Sequence, residues 1–176
     1  MGVKVITAAT NILTLAQMRL HLRLVGDPHA EDALLLSNLA AAVQFAEHYT
    51  GRSIGAQTLE LALDAFPYGP VELKQGPVLS ITSIKYLNAS GVEQTLSSPA
   101  YTLDDYGFQN WAVGASTWPA TGEFANAVKV RYQAGNVPAT VQAALLLTIG
   151  ELYEDREKAE LSRGACALLD TVKMYA

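Results

Sequence analysis

The chain has 176 residues, half of them hydrophobic, and its 12 basic and 17 acidic side chains give a formal charge of −5. A chain of this length and hydrophobic content can bury a core, which excludes wholesale disorder. Its Lys and Arg residues are spread along the sequence, whereas wrapping nucleic acid requires them to cluster. The longest uncharged run, residues 132–150, is interrupted by polar residues and proline, so no membrane span is predicted.

The first zone, residues 1–53, is predicted to be helical. Thr14 and Gln17 have the spacing of a capping box at the start of a short helix. A longer helix is predicted from Pro28 to Tyr49, with Asp27 as its N-cap. The apolar face of this helix is broad enough to be covered on more than one side, and it includes Leu35, Leu36, Leu39, Ala42, Val43, Ala46 and Tyr49.

The second zone, residues 54–133, is predicted to be a small antiparallel β unit. Its segments alternate between apolar and polar residues or are rich in β-branched and aromatic residues, with turn signals between them: "QTLELALDAF", "VELK", "LSITSIKYLN", "VEQTL", "AYTLDD", "FQNWAVG" and "AVKVRYQ". The third zone, residues 134–176, returns to helix over Pro138–Glu157 and ends in a weaker helical segment and a tail. The predicted fold is α+β, a single domain with an antiparallel helical core and the β unit inserted in it.

No catalytic residue, cofactor site or metal site is predicted. The strand–glycine–helix joint "VKVRYQAGNVPAT" resembles a phosphate-binding turn, but it lacks the lysine and the second glycine that such turns need. The histidines lack zinc-ligand spacing, and the single cysteine, Cys166, excludes an internal disulfide. Glu151 and Asp155 have a spacing that can supply two metal carboxylates, although a solvated helix end explains them better. Trp111 and Trp118 could stack a sugar or peptide, which leaves a carbohydrate- or peptide-binding module as an alternative.

Several segments follow one another in an order that resembles the head–tail connector (adaptor, head-completion) proteins of tailed bacteriophages. They are "LTLAQMRLHLRL", "AEHYTGRSIGAQTLELALDAFP", "LKQGPVLSITSIKYLNASG", "YTLD", "WPAT" and "VKVRYQAGNVPATVQAALLLTIGELYEDRE", which together span roughly residues 13–157. "TGEFANAVKV" departs from the family pattern, because it lacks a basic-Pro-Gly lead before the last strand. The resemblance implies a virion assembly protein without enzymatic activity.

The resemblance further implies a ring, typically dodecameric, beneath the portal protein. Such a ring extends the DNA channel and docks a tail-completion or tail protein. The resemblance also implies assembly in the cytoplasm of the bacterial host, from the genome of a phage or a prophage. The net negative charge suits a channel through which DNA slides without specific binding. A different tail-completion component of the virion is an alternative. The candidate subunit or partner contacts are Leu35, Leu39, Val43, Trp111, Trp118, Leu145, Leu152, Leu168, Leu169, Met174 and Tyr175.

Overall fold

The computed structural model describes residues 2–155, 157 and 160–174, and it confirms the α+β fold. Among these residues, no helix is both long and apolar enough to cross a membrane. The described residues divide into two compact units, one of strands and one of helices. In chain order the elements are β1 (Gly2–Thr7), α1 (Leu15–Leu22), α2 (Asp32–Thr50), β2 (Gln57–Leu63), β3 (Val71–Leu73), β4 (Val78–Leu87), β5 (Glu93–Thr95), β6 (Tyr101–Asp104), β7 (Asn110–Gly114), β8 (Val128–Ala134), α3 (Ala139–Glu154) and α4 (Arg163–Leu169).

The β unit, residues 2–10 and 55–136, has two antiparallel sheets. The larger sheet has the strand order β1-β2-β8-β4-β5, and the smaller sheet has the order β3-β7-β6. Because β2 and β8 alternate, their large apolar side chains point to one face of the larger sheet. That inner face packs against the smaller sheet in a core formed by Leu59, Leu61, Val71, Leu73, Val78, Ile84, Ala112, Val128, Val130, Tyr132 and Ala134. The seven predicted strands are confirmed.

Strand β1 corrects the prediction that residues 1–53 are wholly helical. It lies at the edge of the larger sheet and pairs with β2, with Val3 opposite Leu61 and Lys4 opposite Glu60. The β-branched residues in "VKVIT" favour a strand, because branched side chains fit a pleated surface. A run this short gains its stability only from a partner strand, and that partner lies more than fifty residues away in sequence.

The helical unit comprises residues 11–54 together with the described residues from Val137 onward. The capping box is confirmed, because the Thr14 hydroxyl accepts from the Gln17 amide at 3.2 Å and the Gln17 side chain accepts from the Thr14 amide at 2.8 Å. The unit has its own core, formed by Leu13, Met18, Leu35, Ala42, Ala46, Ile54, Val141, Ala144, Leu145, Ile149, Ala165 and Leu169. Helix α3 follows Pro138 as predicted, but it ends at Glu154 rather than at Glu157. The solvated helix end predicted from the sequence includes the i,i+4 pairs Glu154–Lys158 and Arg156–Glu160, which involve residues outside the described part.

Helix α2 begins four residues later than predicted, and the predicted cap at Asp27 is wrong. The Asp27 carboxylate accepts from Arg19 Nη1 at 2.7 Å instead of capping helix amides. Asp32, the first residue of α2, accepts from Arg19 Nε at 2.7 Å and from Nη2 at 2.5 Å. Asp32 also accepts from the His29 amide at 3.1 Å, so a local turn precedes the helix. The two aspartates therefore fix the buried guanidinium of α1 to the start of α2.

The Arg19–Asp32 contact predicts a loss of stability in acid. Hydrogen bonds from Arg19 lower the pKa of Asp32 below its ordinary value in the folded chain. A lowered folded-state pKa contributes stability that is present above the ordinary Asp value, about 4. That contribution is lost as the pH falls through the folded-state value. We expect Asp32→Asn to unfold at lower urea concentration than the parent chain at pH 7, with the difference disappearing in acid, as measured by urea titrations between pH 2 and pH 7.

The matched control is Glu93, whose pKa is also lowered, in its case by hydrogen bonding to Lys85. That pair is exposed at both ends, so solvent and salt weaken it. Glu93→Gln should therefore change the urea midpoint little, and less still in high salt. An Asp32→Asn variant with the acid dependence of the parent chain would show that this carboxylate does not anchor α2.

Candidate subunit and partner interfaces

Helix α2 presents an exposed face without charge. No charged residue lies between Asp32 and Glu47, so the helix has fourteen uncharged residues in succession. One side of it packs into the core of the helical unit, whereas the exposed side is made of small or uncharged residues: Ala33, Leu36, Ser37, Ala40 and Gln44. Leu36 lies in this face and is 50% exposed. An uncharged surface with an apolar side chain and small neighbours allows another helix to approach closely.

Three of the predicted contact residues are core residues, which corrects that part of the prediction. Leu35, Leu145 and Leu169 are essentially without exposed surface in the chain itself. Their apolar periodicity is real, but it reports packing inside the helical unit rather than an outer surface. Leu36, the next residue along the helix, is exposed instead. The sequence contained this signal, because Leu36 widens the predicted stripe on its outer side.

The other predicted contacts in the helical unit are half-buried. Leu39, Val43 and Leu168 pack against the core and retain some exposed surface, as does Leu152. They remain candidates for subunit contact at the margin of the exposed surface. Tyr175 lies outside the described residues.

The segment that contains Met174 is fixed to the end of α2. The Met174 amide donates to the Thr50 carbonyl at 2.9 Å. The Tyr49 hydroxyl donates to Asp170 Oδ1 at 2.7 Å, and Lys173 Nζ lies 3.9 Å from the Tyr49 ring centroid. The hydrogen bond to the Asp170 carboxylate raises the pKa of Tyr49, because that bond requires the protonated phenol. The described part of the tail therefore belongs to the helical unit, and Met174 is half-buried there.

The two tryptophans have different settings in the β unit. Trp118 is stacked on Phe66 at 4.9 Å between ring centroids, and its indole N–H donates to the Gly69 carbonyl at 2.9 Å. One ring face and the only polar atom of Trp118 are thus used within the chain. Trp111 points outward from β7 and lines a shallow groove with Leu63 and other residues. Both tryptophans are half-buried and remain candidates for a contact.

The outer face of the larger sheet has a depression that the sequence analysis did not predict. It is lined by residues of β1, β2, β4 and β8 and of the loop before β8: Gly2, Val3, Lys4, Glu60, Ala62, Leu87, Ala125, Asn126 and Lys129. Gly2 and Ala62 are opposite each other in the strand register, and a Cβ on Gly2 would meet no atom within 4 Å. The depression exists because these two residues lack long side chains. Only the pairing of β1 with β2 brings them together.

The charged residues that line this depression are two lysines and one glutamate. Arg131 Nη2 lies 2.6 Å from Glu60 Oε2, so the one lining carboxylate is neutralised. Within the described part of the chain, Lys4 and Lys129 form no ion pair within 4 Å. From about 4.8 Å between strands and about 3.4 Å per residue, their Cα atoms are about 12 Å apart.

The geometry supports neither a metal site at Glu151 and Asp155 nor a phosphate-binding turn before α3. No group of three or more metal-ligating side chains occurs among the described residues, and Asp155 lies beyond the end of α3 rather than on its face with Glu151. In the strand–glycine–helix joint, the Gly135 amide donates to the Pro77 carbonyl at 2.8 Å. Gly135 has φ 102°, so its role is to turn the chain into α3. The Gly135 amide is therefore used within the chain.

Comparison with known proteins identifies the family. The model of the Phage gp6-like head-tail connector protein family matches residues 12–99, half of the chain. The chain belongs to this family. It is a structural head–tail connector, as the order of its motifs predicts, and the connector family is one of structural proteins. No curated protein gives a significant sequence match.

Solved structures resemble the connector over its whole length. It superposes on a chain of the virion of a native gene transfer agent (GTA) particle with a TM-score of 0.83 and 26% identity. A chain in the neck of an empty GTA particle, computed with C6 symmetry, gives 0.85 and 26%. A chain in the neck of a native GTA particle, computed with C12 symmetry, gives 0.82 and 24%, a likeness of fold. Each match covers 100% of this chain and 97% of the other.

Proposed function

We propose that copies of the connector form a closed ring at the head–tail junction of a virion, beneath the portal protein. The observation that supports this most strongly is the full-length likeness to a neck component whose structure was computed with C6 symmetry. A ring of twelve copies is compatible with such symmetry, since it contains six equivalent pairs. The ring extends the DNA channel and provides a platform for a tail-completion or tail protein. It acts by binding its neighbours and not as an enzyme.

Ring closure requires contacts between two different surfaces of each copy. Such heterologous contacts close when the rotation between neighbours divides a full turn. The uncharged face of α2 supplies one of these surfaces, because Leu36 and the small residues beside it are exposed. The net charge of −5 favours passage of DNA, since a strongly basic lumen would hold its phosphates.

Leu36→Glu tests this assignment. We expect the variant to keep the monomer fold, because the side chain is half exposed, and to lose assembly, because a carboxylate would be desolvated in the helix contact. Assembly is measured by native mass spectrometry and negative-stain imaging of the full chain. Both measurements are made on the chain alone at high protein concentration and on the chain mixed with the portal protein of the same phage.

The matched control is Leu79→Glu, which changes the same residue type at the same exposure, 50%, on a strand of the β unit. It should assemble as the parent chain does. If Leu36→Glu still formed rings, the exposed face of α2 would not be a subunit contact, whereas the proposed ring itself would stand. A parent chain that neither assembles alone nor binds the portal would overturn the proposed function.

A further inference from the structure

We propose that the loop joining β6 and β7 in one copy docks into the sheet depression of the next copy around the ring. The loop comprises residues 105–109, and the depression is the one that lies between Lys4 and Lys129. The inference rests on the proposed ring and names one of its contacts. The occupant is therefore a second copy of this chain.

The docking loop is acidic and aromatic. Tyr106 is fully exposed and Phe108 is 65% exposed, although both are large hydrophobic side chains. Asp104 and Asp105 precede them, and the segment from Tyr101 to Gly114 contains no Lys or Arg. The Asp104 carboxylate accepts from the Tyr106 amide at 3.2 Å, which fixes the turn that presents the tyrosine. Exposed aromatic residues at a hairpin tip are typical of contacts in which a partner covers them.

The depression has the complementary shape and charge. Its floor is low because Gly2 and Ala62 lack long side chains, and the lysines on either side of it form no ion pair within the described chain. An aromatic ring placed on that floor would bury apolar surface against Ala62. The carboxylates of Asp104, at the end of β6, and of Asp105, in the loop, would then approach Lys4 and Lys129. Complementary potentials of this kind select a partner and fix its register.

The architecture directs this contact to a neighbouring copy. The hairpin belongs to the smaller sheet, which packs on the inner face of the larger sheet, whereas the depression lies on the outer face. The loop cannot reach the depression of its own chain while that packing is kept. Two different patches that complement each other on separate copies are what a heterologous ring contact needs. Two lysines are also few for binding a nucleic-acid backbone, which usually involves many more phosphate contacts.

Cysteine cross-linking tests the contact directly. In a full-length chain with Cys166→Ser, the variants Tyr106→Cys and Ala62→Cys are combined and treated with a short bismaleimide. We expect a ladder of covalent multimers on denaturing gels, because each copy offers both partners. The matched control combines Tyr106→Cys with Thr58→Cys. Thr58 lies on the same face of the same strand, about 14 Å from Ala62 at ~3.4 Å per residue, and should give at least about tenfold less ladder.

Charge reversal provides an independent test. Lys129→Glu in the cross-linking chain should reduce the ladder by about tenfold, since it places a carboxylate against the acidic loop. Adding Asp105→Lys should restore it. Both side chains are exposed, so circular dichroism should report an unchanged fold for each variant.

Imaging of the same samples separates this contact from the ring. Rings together with a ladder support both. Rings without a ladder overturn the contact and leave the ring standing, whereas a ladder of open chains supports the contact and overturns the ring. Absence of rings and ladder, also when the portal protein is present, overturns both. A short DNA duplex that protects the thiol of the Ala62→Cys variant from maleimide, without any ladder, would assign the depression to nucleic acid and overturn docking of a second copy.

Discussion

Replacing Tyr132 by alanine should lower the free energy of unfolding of the β unit by about 3–5 kcal/mol, the range for removing a large buried aromatic side chain. Tyr132 is without exposed surface in β8, and it is the largest fully buried side chain among the described residues. It lies on the inner face between β2 and β4, opposite Leu59 and Ile81. Truncation would leave a cavity at the centre of the larger sheet. Urea unfolding followed by hydrogen exchange, read separately for each unit, measures this loss.

Tyr132→Phe separates the ring of this residue from its hydroxyl. The hydroxyl donates to the Lys74 carbonyl at 2.8 Å, so its removal should cost only about 1 kcal/mol. Burial raises the pKa of the Tyr132 phenol above its ordinary value of about 10. A raised folded-state pKa contributes stability that is complete below about pH 10 and is lost as the pH rises through the folded-state value. The phenylalanine variant should therefore lose less stability in alkali than the parent chain. If Tyr132→Ala and Tyr132→Phe lowered the free energy of unfolding by the same amount, the packing role of the ring would be contradicted.

Most of the β unit could be predicted from sequence because its signals are local. Strand β8 alternates Val128, Val130 and Tyr132 with polar residues, and that alternation alone assigns which side chains face the core. The capping box of α1 is likewise contained within four residues. Features of this kind depend on neighbours in sequence, so no knowledge of the tertiary structure is needed to find them.

The rest of the structure depends on contacts between distant segments. The predicted cap at Asp27 does not form because Arg19, on another helix, binds Asp27 together with Asp32. The sheet depression exists because β1 pairs with β2 and so places Gly2 opposite Ala62. Neither arrangement leaves a local pattern. The full exposure of an aromatic residue such as Tyr106 also cannot be predicted from sequence, since the local sequence of a short loop does not distinguish a buried tyrosine from an exposed one.

The choice between core and contact surface on α2 was ambiguous for a different reason. Apolar residues occupy so much of the helix that periodicity marks a broad face without separating its centre from its margin. The structure resolves this by placing Leu35 inside and Leu36 outside. Two neighbouring leucines consequently have opposite expected roles.

Leu35→Ala should lower the free energy of unfolding of the helical unit by about 2–5 kcal/mol, because it removes a fully buried side chain and leaves a cavity. Leu36→Ala, one residue away, should change the stability of the monomer by less than about 1 kcal/mol, since half of the side chain is already in water. Urea titration of each variant at low protein concentration, where assembly does not contribute, measures the difference.

The same two variants should behave in the opposite way in assembly. In buffer without urea, where Leu35→Ala is still folded, this variant should form rings, because the outer face of α2 is unchanged. Leu36→Ala should be fully folded and assemble less readily, since it removes apolar area from the proposed helix contact. Equal loss of assembly in both variants would mean that Leu36 makes no subunit contact of its own, and the contact would then have to be sought among the half-buried residues Leu39, Val43 and Leu152.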